Sequence, residues 1–295
     1  MTTITKQPDS PVSRPADAPV PVVVIRPTKG WASLQLQALW QYRELLYFMV
    51  WREIKVRYKQ TVLGILWIVL QPVISIVVFS LLFGKLLEVP SNGVPYPIFA
   101  YAALLPWSYF ASSLNRSSSS LVGNAQLITK VYFPRLIIPI SGVLSGLVDF
   151  AVAFLVIVAM MIYYRVVPTL AVLLLPFFLL LAGLTALGFS LWLSALNVRF
   201  RDVKYMVPFI VQTWMYVTPV VYGSTLIPER FRFLLGLNPM TGVVEGFRWA
   251  LLGRYLTDVQ APGLLFWISV VIALAVLVGG MIFFRATERT FADIV

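Results

Sequence analysis

Long apolar runs separated by short charged clusters dominate the chain. Residues 60–84, 89–115, 166–198, 205–228 and 259–284 contain no charged side chain, and 136–164 contains one, Asp149. Each run exceeds the ~20 residues a helix needs to cross hydrocarbon, where backbone groups must be satisfied internally. The pattern therefore predicts an all-α integral membrane protein with six transmembrane helices, at about 62–83, 97–121, 136–164, 169–196, 205–222 and 264–284.

The segments between the spans add detail. Residues 1–29 carry six prolines among Ser, Thr, Asp and Val and predict a disordered cytoplasmic tail rather than a signal peptide. Over 30–61, Tyr47, Val50, Trp51, Ile54 and Tyr58 recur at spacings of three and four beside Arg52, Lys55 and Lys59. This predicts an amphipathic helix lying in the membrane interface, serving either as an anchor or as a contact for substrate. Asn124 and Phe133-Pro134 bracket a short helix, with Asn124 as its cap. Gly142 and Gly146 have the spacing that lets two helices approach closely. Asp149, near the middle of the third span, must be protonated, paired or facing water. In the outer connection 223–262, two apolar pieces too short to span are separated by Asn238-Pro239. They predict short re-entrant or interfacial helices, on which Glu245 and Arg248 are spaced to pair.

Charge sets the orientation. Seventeen of the 23 Lys and Arg fall in the N-terminal segment, the second and fourth connections and the C-terminal end from Arg285 through the tail 286–295, and six in the other connections. The alternation predicts cytoplasmic N- and C-termini. The net charge of +11 is concentrated beside the spans, which points to membrane lipids or an anionic lipid substrate and not to nucleic acid. With no Cys and no His, thiolate and imidazole metal sites and a Ser-His-Asp triad are excluded. No metal site and no catalytic residue is expected: the composition reads as a transport subunit, not an enzyme.

Several local strings then occur in a telling order. Trp51-Arg52-Glu53-Ile54-Lys55-Val56-Arg57-Tyr58-Lys59-Gln60 leads into Leu63-Gly64, Leu66-Trp67 and Gln71-Pro72. Lys130-Val131-Tyr132-Phe133-Pro134-Arg135, Asn197-Val198-Arg199-Phe200-Arg201-Asp202, Thr218-Pro219, Asn238-Pro239 and Gly246-Phe247-Arg248 follow. Together they cover about 31–285, and the chain resembles the permease subunits of ABC transporters that export bacterial polysaccharides such as O-antigen, capsule and teichoic acid. The resemblance implies a homodimer in the bacterial inner membrane, paired with two copies of a separate ATPase that binds ATP and Mg and moving a lipid-linked polysaccharide. No Gly-x4-Gly-Lys-Ser/Thr phosphate loop is present in this chain, in keeping with an energy source elsewhere. The same resemblance implies ATPase coupling through Asn124, Lys130, Arg135, Arg199, Arg201 and Asp202, and pyrophosphate contact by Arg52, Lys55, Arg57 and Lys59. It also suggests an outer gate at Glu245 and Arg248.

A hydrated polymer needs a wall that binds sugars weakly along its length, and aromatic faces supply this. Tyr96, Phe99, Tyr101, Trp107, Tyr109 and Phe110 around the second span, with Trp214, Tyr216 and Tyr222 on the fifth, are candidates for a channel lining or, equally, for interfacial belts. An exporter of a small lipid or drug shares the fold; a membrane-embedded transferase or a scaffold is a further alternative.

Overall fold

The computed structural model describes residues 36–59, 64–256, 262–288 and 291, and all of these belong to one unit. The Pro-rich tail and residues 60–63 lie outside the described residues. Within those described, every regular element is helical.

α1 (Leu36–Gln41) and α2 (Arg43–Tyr58) precede α3 (Gly64–Phe79), which continues as a π-helical segment, Ser80–Leu86. Next come α4 (Tyr96–Gly123), the short α5 (Ala125–Lys130), α6 (Ile137–Tyr163), α7 (Leu175–Arg199) and α8 (Val203–Val217). Finally, α9 (Glu229–Gly236) and α10 (Pro239–Leu252) lead to α11 (Leu264–Glu288). Four stretches are long and apolar enough to cross a membrane: Val69–Leu86, Ile137–Tyr163, Leu170–Arg199 and Leu264–Glu288. α4 has the length, at 28 residues, but carries Asn115, Arg116 and a run of four serines at its end. α8 has only 15 residues, because the backbone turns extended at Thr218 and Pro219 follows, so the expected fifth span closes five residues early.

α4 is the central post. Tyr101 donates to the Ala153 carbonyl at 2.8 Å and Ser117 to the Pro139 carbonyl at 3.0 Å, so α4 and α6 run antiparallel. Asn197 of α7 donates to the Ser118 carbonyl, while midway along both helices Phe110 packs on Phe189. Small residues set the spacing. A Cβ at Gly142 would meet Ser117, and one at Gly188 would lie 2.8 Å from the Leu277 backbone nitrogen, so α7 and α11 touch through main chain. α10 wedges among α4, α7 and α11 and is buried along most of its length, with Met240, Val243, Val244 and Phe247 fully covered. By contrast, among the described residues Ile76 is the one buried side chain of α3, and α8 buries only Val207 and Val211.

Two apolar clusters cap the bundle. One, built from Met49, Leu121, Ile128, Ile137, Leu191, Val198 and Phe284, gathers the helix ends that carry the basic connections; it is called here the basic end. The other fills the body and the opposite end around Phe99, Phe178, Val220 and Phe247.

The segment 36–58 departs from the expected interface helix. It breaks at Tyr42, and α2 lies along the first half of α6. Its packed line is Leu45, Met49, Glu53 and Arg57, whereas Tyr47 and Trp51, part of the expected apolar stripe, are exposed. Val50, Ile54 and Tyr58 of the same stripe are half-buried, and the polar partnerships of Glu53 and Arg57 with α6 lie on a face that the aromatic spacing does not mark.

Candidate functional site

α2, α4 and α6 each send a charge to one point. Asp149 of α6 accepts from Arg57 at 2.5 Å and from Arg116 of α4 at 2.9 Å, and the Tyr58 hydroxyl donates to its other oxygen. A single carboxylate midway along an apolar helix is costly in a membrane unless paired. Here it has two guanidinium partners and a phenol. One turn away, Glu53 accepts from Ser145 at 2.8 Å and from Ser141 at 3.1 Å, which anchors α2 on the same face of α6. Burial, and secondarily the hydrogen bond to Asp149, pushes the Tyr58 phenol up to about 12, so it stays a donor at physiological pH.

Gly146 makes this convergence possible. A Cβ there would collide with the Arg116 guanidinium and lie 2.6 Å from Ser113 Oγ. The paired small residues read as packing positions thus have a second use, clearing the path by which Arg116 crosses from α4 to α6.

The cluster closes one end of an open cavity of ≈ 750 Å³ between α3, α4 and α6. Trp67 and the half-buried Phe150 present rings to it, the almost fully buried Tyr101, Trp107 and Tyr109 border it, and Gln71, Ser75, Ser108, Ser112 and Asn115 supply hydroxyls and amides. Asn115 Oδ1 is buried with no partner among the described residues. Rings for stacking interleaved with hydrogen-bonding groups, and cations at one end, suit an amphiphilic polar ligand carrying an anionic group.

The remaining candidates are placed as follows. Phe99 and Phe110 are fully buried away from the groove, and Trp214 packs among Trp107, Phe110 and Phe189. Tyr96 donates to the Val221 carbonyl and Tyr222 to the Tyr216 carbonyl, while Tyr216 itself is exposed. Arg52 donates to Asn124, Lys55 lies over the Trp51 ring at 5.4 Å, and Lys59 is exposed. Asn124 occupies the N-cap position of α5 without capping it, because its side chain is taken by Arg52 and by the Ser120 carbonyl. Arg135 donates to the Glu288 carbonyl and sits over Phe291. Lys130, Arg199 and Arg201 are exposed, and Asp202 sits at the N-cap of α8. Glu245 and Arg248 do pair, at 3.1 Å. Arg116 was counted with the second connection and singled out for no role. Its signal was an opposite charge on the helix preceding that of Asp149.

The charged cluster, the groove and the wedge of α9 and α10 all lie within one matched segment: a model of the ABC-2 type transporter family covers residues 44–252. The chain belongs to the ABC-2 type transporter family. Among its relatives, O-antigen export system permease protein RfbA of Myxococcus xanthus is 34% identical over 239 residues, 80% of this chain and 91% of that protein. The RfbA permease of Klebsiella pneumoniae is 30% identical over 252 residues, 85% of this chain and 95% of that protein. The polysialic acid transport protein KpsM of Escherichia coli is 25% identical over 210 residues, 70% of this chain and 81% of that protein. As an ABC-2 family member the chain is an integral membrane protein and a transport subunit.

Proposed function

We propose that this ABC-2 permease exports a lipid-linked polysaccharide of the O-antigen kind across the bacterial inner membrane, driven by ATP hydrolysed, with Mg, on two copies of a partner ATPase. The observation that carries the reading is the groove: stacked rings and hydroxyls along its wall suit sugars, and the arginines at its end suit the phosphate of a lipid carrier. The relatives named for O-antigen export and polysialic acid transport support the same substrate class.

In this reading α3, α4, α6, α7, α8 and α11 are six spans, with the basic end and both termini in the cytoplasm. α5 and the turn 199–204 meet the ATPase there, offering Lys130, Arg199 and Arg201 at the surface. Gln212 and Thr213 are exposed on α8, and Gln71 on α3. Polar groups at such depth are poorly served by lipid. A second copy of the chain, packed through α3 and α8, covers them and joins two grooves into one path. Of the expected aromatic candidates, Tyr101, Trp107 and Tyr109 border it, and α9 and α10 close its outer end.

Deleting the gene and following lipid-linked polysaccharide between the cytoplasmic face and the cell surface tests the reading. Polymer trapped inside, with export restored by the wild-type gene and not alongside an ATPase-dead partner, is expected. Unchanged surface polymer overturns the assignment in favour of a small lipid or drug.

A further inference from the structure

We propose that Asp149 is a built-in stand-in anion: it occupies a two-arginine phosphate site formed by Arg57 and Arg116, and an incoming phosphate ester displaces it. The inference rests on the polysaccharide-export reading for the source of the phosphate and deepens it by naming the site and its resident competitor.

Two observations and one principle converge on it. Arg57 and Arg116 come from different helices and meet on the same Asp149 oxygen, so their guanidinium groups are already aimed at one negatively charged atom. Guanidinium groups bind carboxylate and phosphate with the same fork geometry, so a site that holds one accepts the other. All three charged side chains line the ≈ 750 Å³ cavity, and none is completely covered, at 28% exposure for Arg57, 23% for Arg116 and 18% for Asp149. A ligand in the groove reaches them without opening the bundle.

The carboxylate also answers an electrostatic requirement. Two arginines at this depth with no anion would be strongly unfavourable, and removing one partner of a buried pair leaves the other uncompensated. Exchange keeps the pocket compensated throughout: Asp149 serves between substrates, and the phosphate takes its place when the groove fills. Tyr58 holds Asp149 through the carboxylate oxygen that the arginines do not use, and so retains it after displacement. Release follows the reverse course, since a competing anion tethered beside the site limits how tightly any phosphate is held.

The test is equilibrium binding of radiolabelled farnesyl pyrophosphate to the full-length permease with its ATPase, in phosphatidylcholine nanodiscs. Inorganic pyrophosphate and added phosphatidylglycerol serve as competitors. Because Asp149 competes, Asp149→Asn is expected to tighten binding, on the order of tenfold, whereas Arg116→Gln and Arg57→Gln each weaken it by at least about tenfold. A merely structural ion pair gives the opposite sign for Asp149→Asn. Should that variant not fold, infrared difference spectra of wild-type protein labelled with 13C-aspartate replace it: a shifted carboxylate band on adding farnesyl pyrophosphate supports exchange, and an unmoved band overturns it. Competition by phosphatidylglycerol but not by inorganic pyrophosphate overturns the proposal in favour of a phospholipid headgroup site. Failure of wild-type protein to bind farnesyl pyrophosphate, in a host whose gene deletion traps polymer, overturns this site while leaving the export function standing.

Discussion

Two interior arginine centres among the described residues are built on opposite plans. Arg248, fully buried on α10, donates to the backbone carbonyls of Pro219 at 2.7 Å, Val220 at 2.5 Å, Tyr222 at 3.0 Å and Phe99 at 3.3 Å. It also pairs with Glu245 and lies 4.0 Å from the centre of the Phe99 ring. Arg116 instead faces a cavity and depends on a movable side chain, Asp149, for its charge partner. Main-chain oxygens cannot leave without unfolding the turn 218–222, whereas a carboxylate can rotate away. Full enclosure by carbonyls marks a fixed joint; enclosure by a side-chain anion beside open space marks a replaceable partner.

The sharpest way to break the comparison is Arg248→Met. It strands four carbonyls and Glu245, and should cost about 3–5 kcal/mol or abolish folded protein, measured by thermal unfolding in detergent and by membrane yield. Next is Arg116→Gln, which should leave yield near wild type while lowering polysaccharide export by roughly tenfold or more. Similar losses of yield for Arg116→Gln and Arg248→Met would dissolve the distinction. Gly146→Ala tests the passage itself: the added methyl meets the flexible tip of Arg116 and the Ser113 hydroxyl, so export should drop a few-fold with about 1–3 kcal/mol of destabilisation. Ser141→Ala with Ser145→Ala removes the donors to Glu53 and should loosen α2 by about 1–2 kcal/mol, read as faster backbone hydrogen exchange over 43–58.

The smallest effect is in alkali. The Tyr58 phenol is pushed up from its ordinary 10.0 to about 12 by burial first and by Asp149 next. The unfolded phenol ionises near pH 10 and the folded one does not. The resulting contribution is therefore complete below pH 10 and lost as the pH rises through about 12. Thermal melts of wild type and Tyr58→Phe should converge over that interval.

Much of this architecture was legible in the sequence, because length and apolarity leave a long segment few options in lipid. Asn238-Pro239 was visible as a break, whereas the expected fifth span ran straight through Thr218-Pro219, and nothing marked the two as neighbours: Asn238 donates to Thr218 Oγ1 at 2.8 Å and accepts from the Met240 amide, joining two turns twenty residues apart. Asp149 was recognisable as needing a partner, and pairing is the solution found among the options of protonation, pairing or water. Its partners were hidden for two reasons. Arg116 sits in the polar, serine-rich end of the second expected span, and nothing in that run shows which helix its charge faces. On α2, the aromatic spacing pointed to one face while Glu53 and Arg57 made their partnerships on another. Periodicity finds an apolar face; it is blind to a polar one whose partners lie about ninety residues away.

The backbone contact between α7 and α11 has a consequence for how the sequence can drift. At Gly280 an added carbon would strike the Gly188 carbonyl oxygen, and at Gly188 it would strike the Leu277 main chain, so neither neighbour can step aside by changing a rotamer. Gly123, at the end of α4, has nothing within 4 Å of the same carbon. In a library of random substitutions under selection for surface polysaccharide, positions 188 and 280 should return glycine almost alone, while position 123 should return nearly every amino acid.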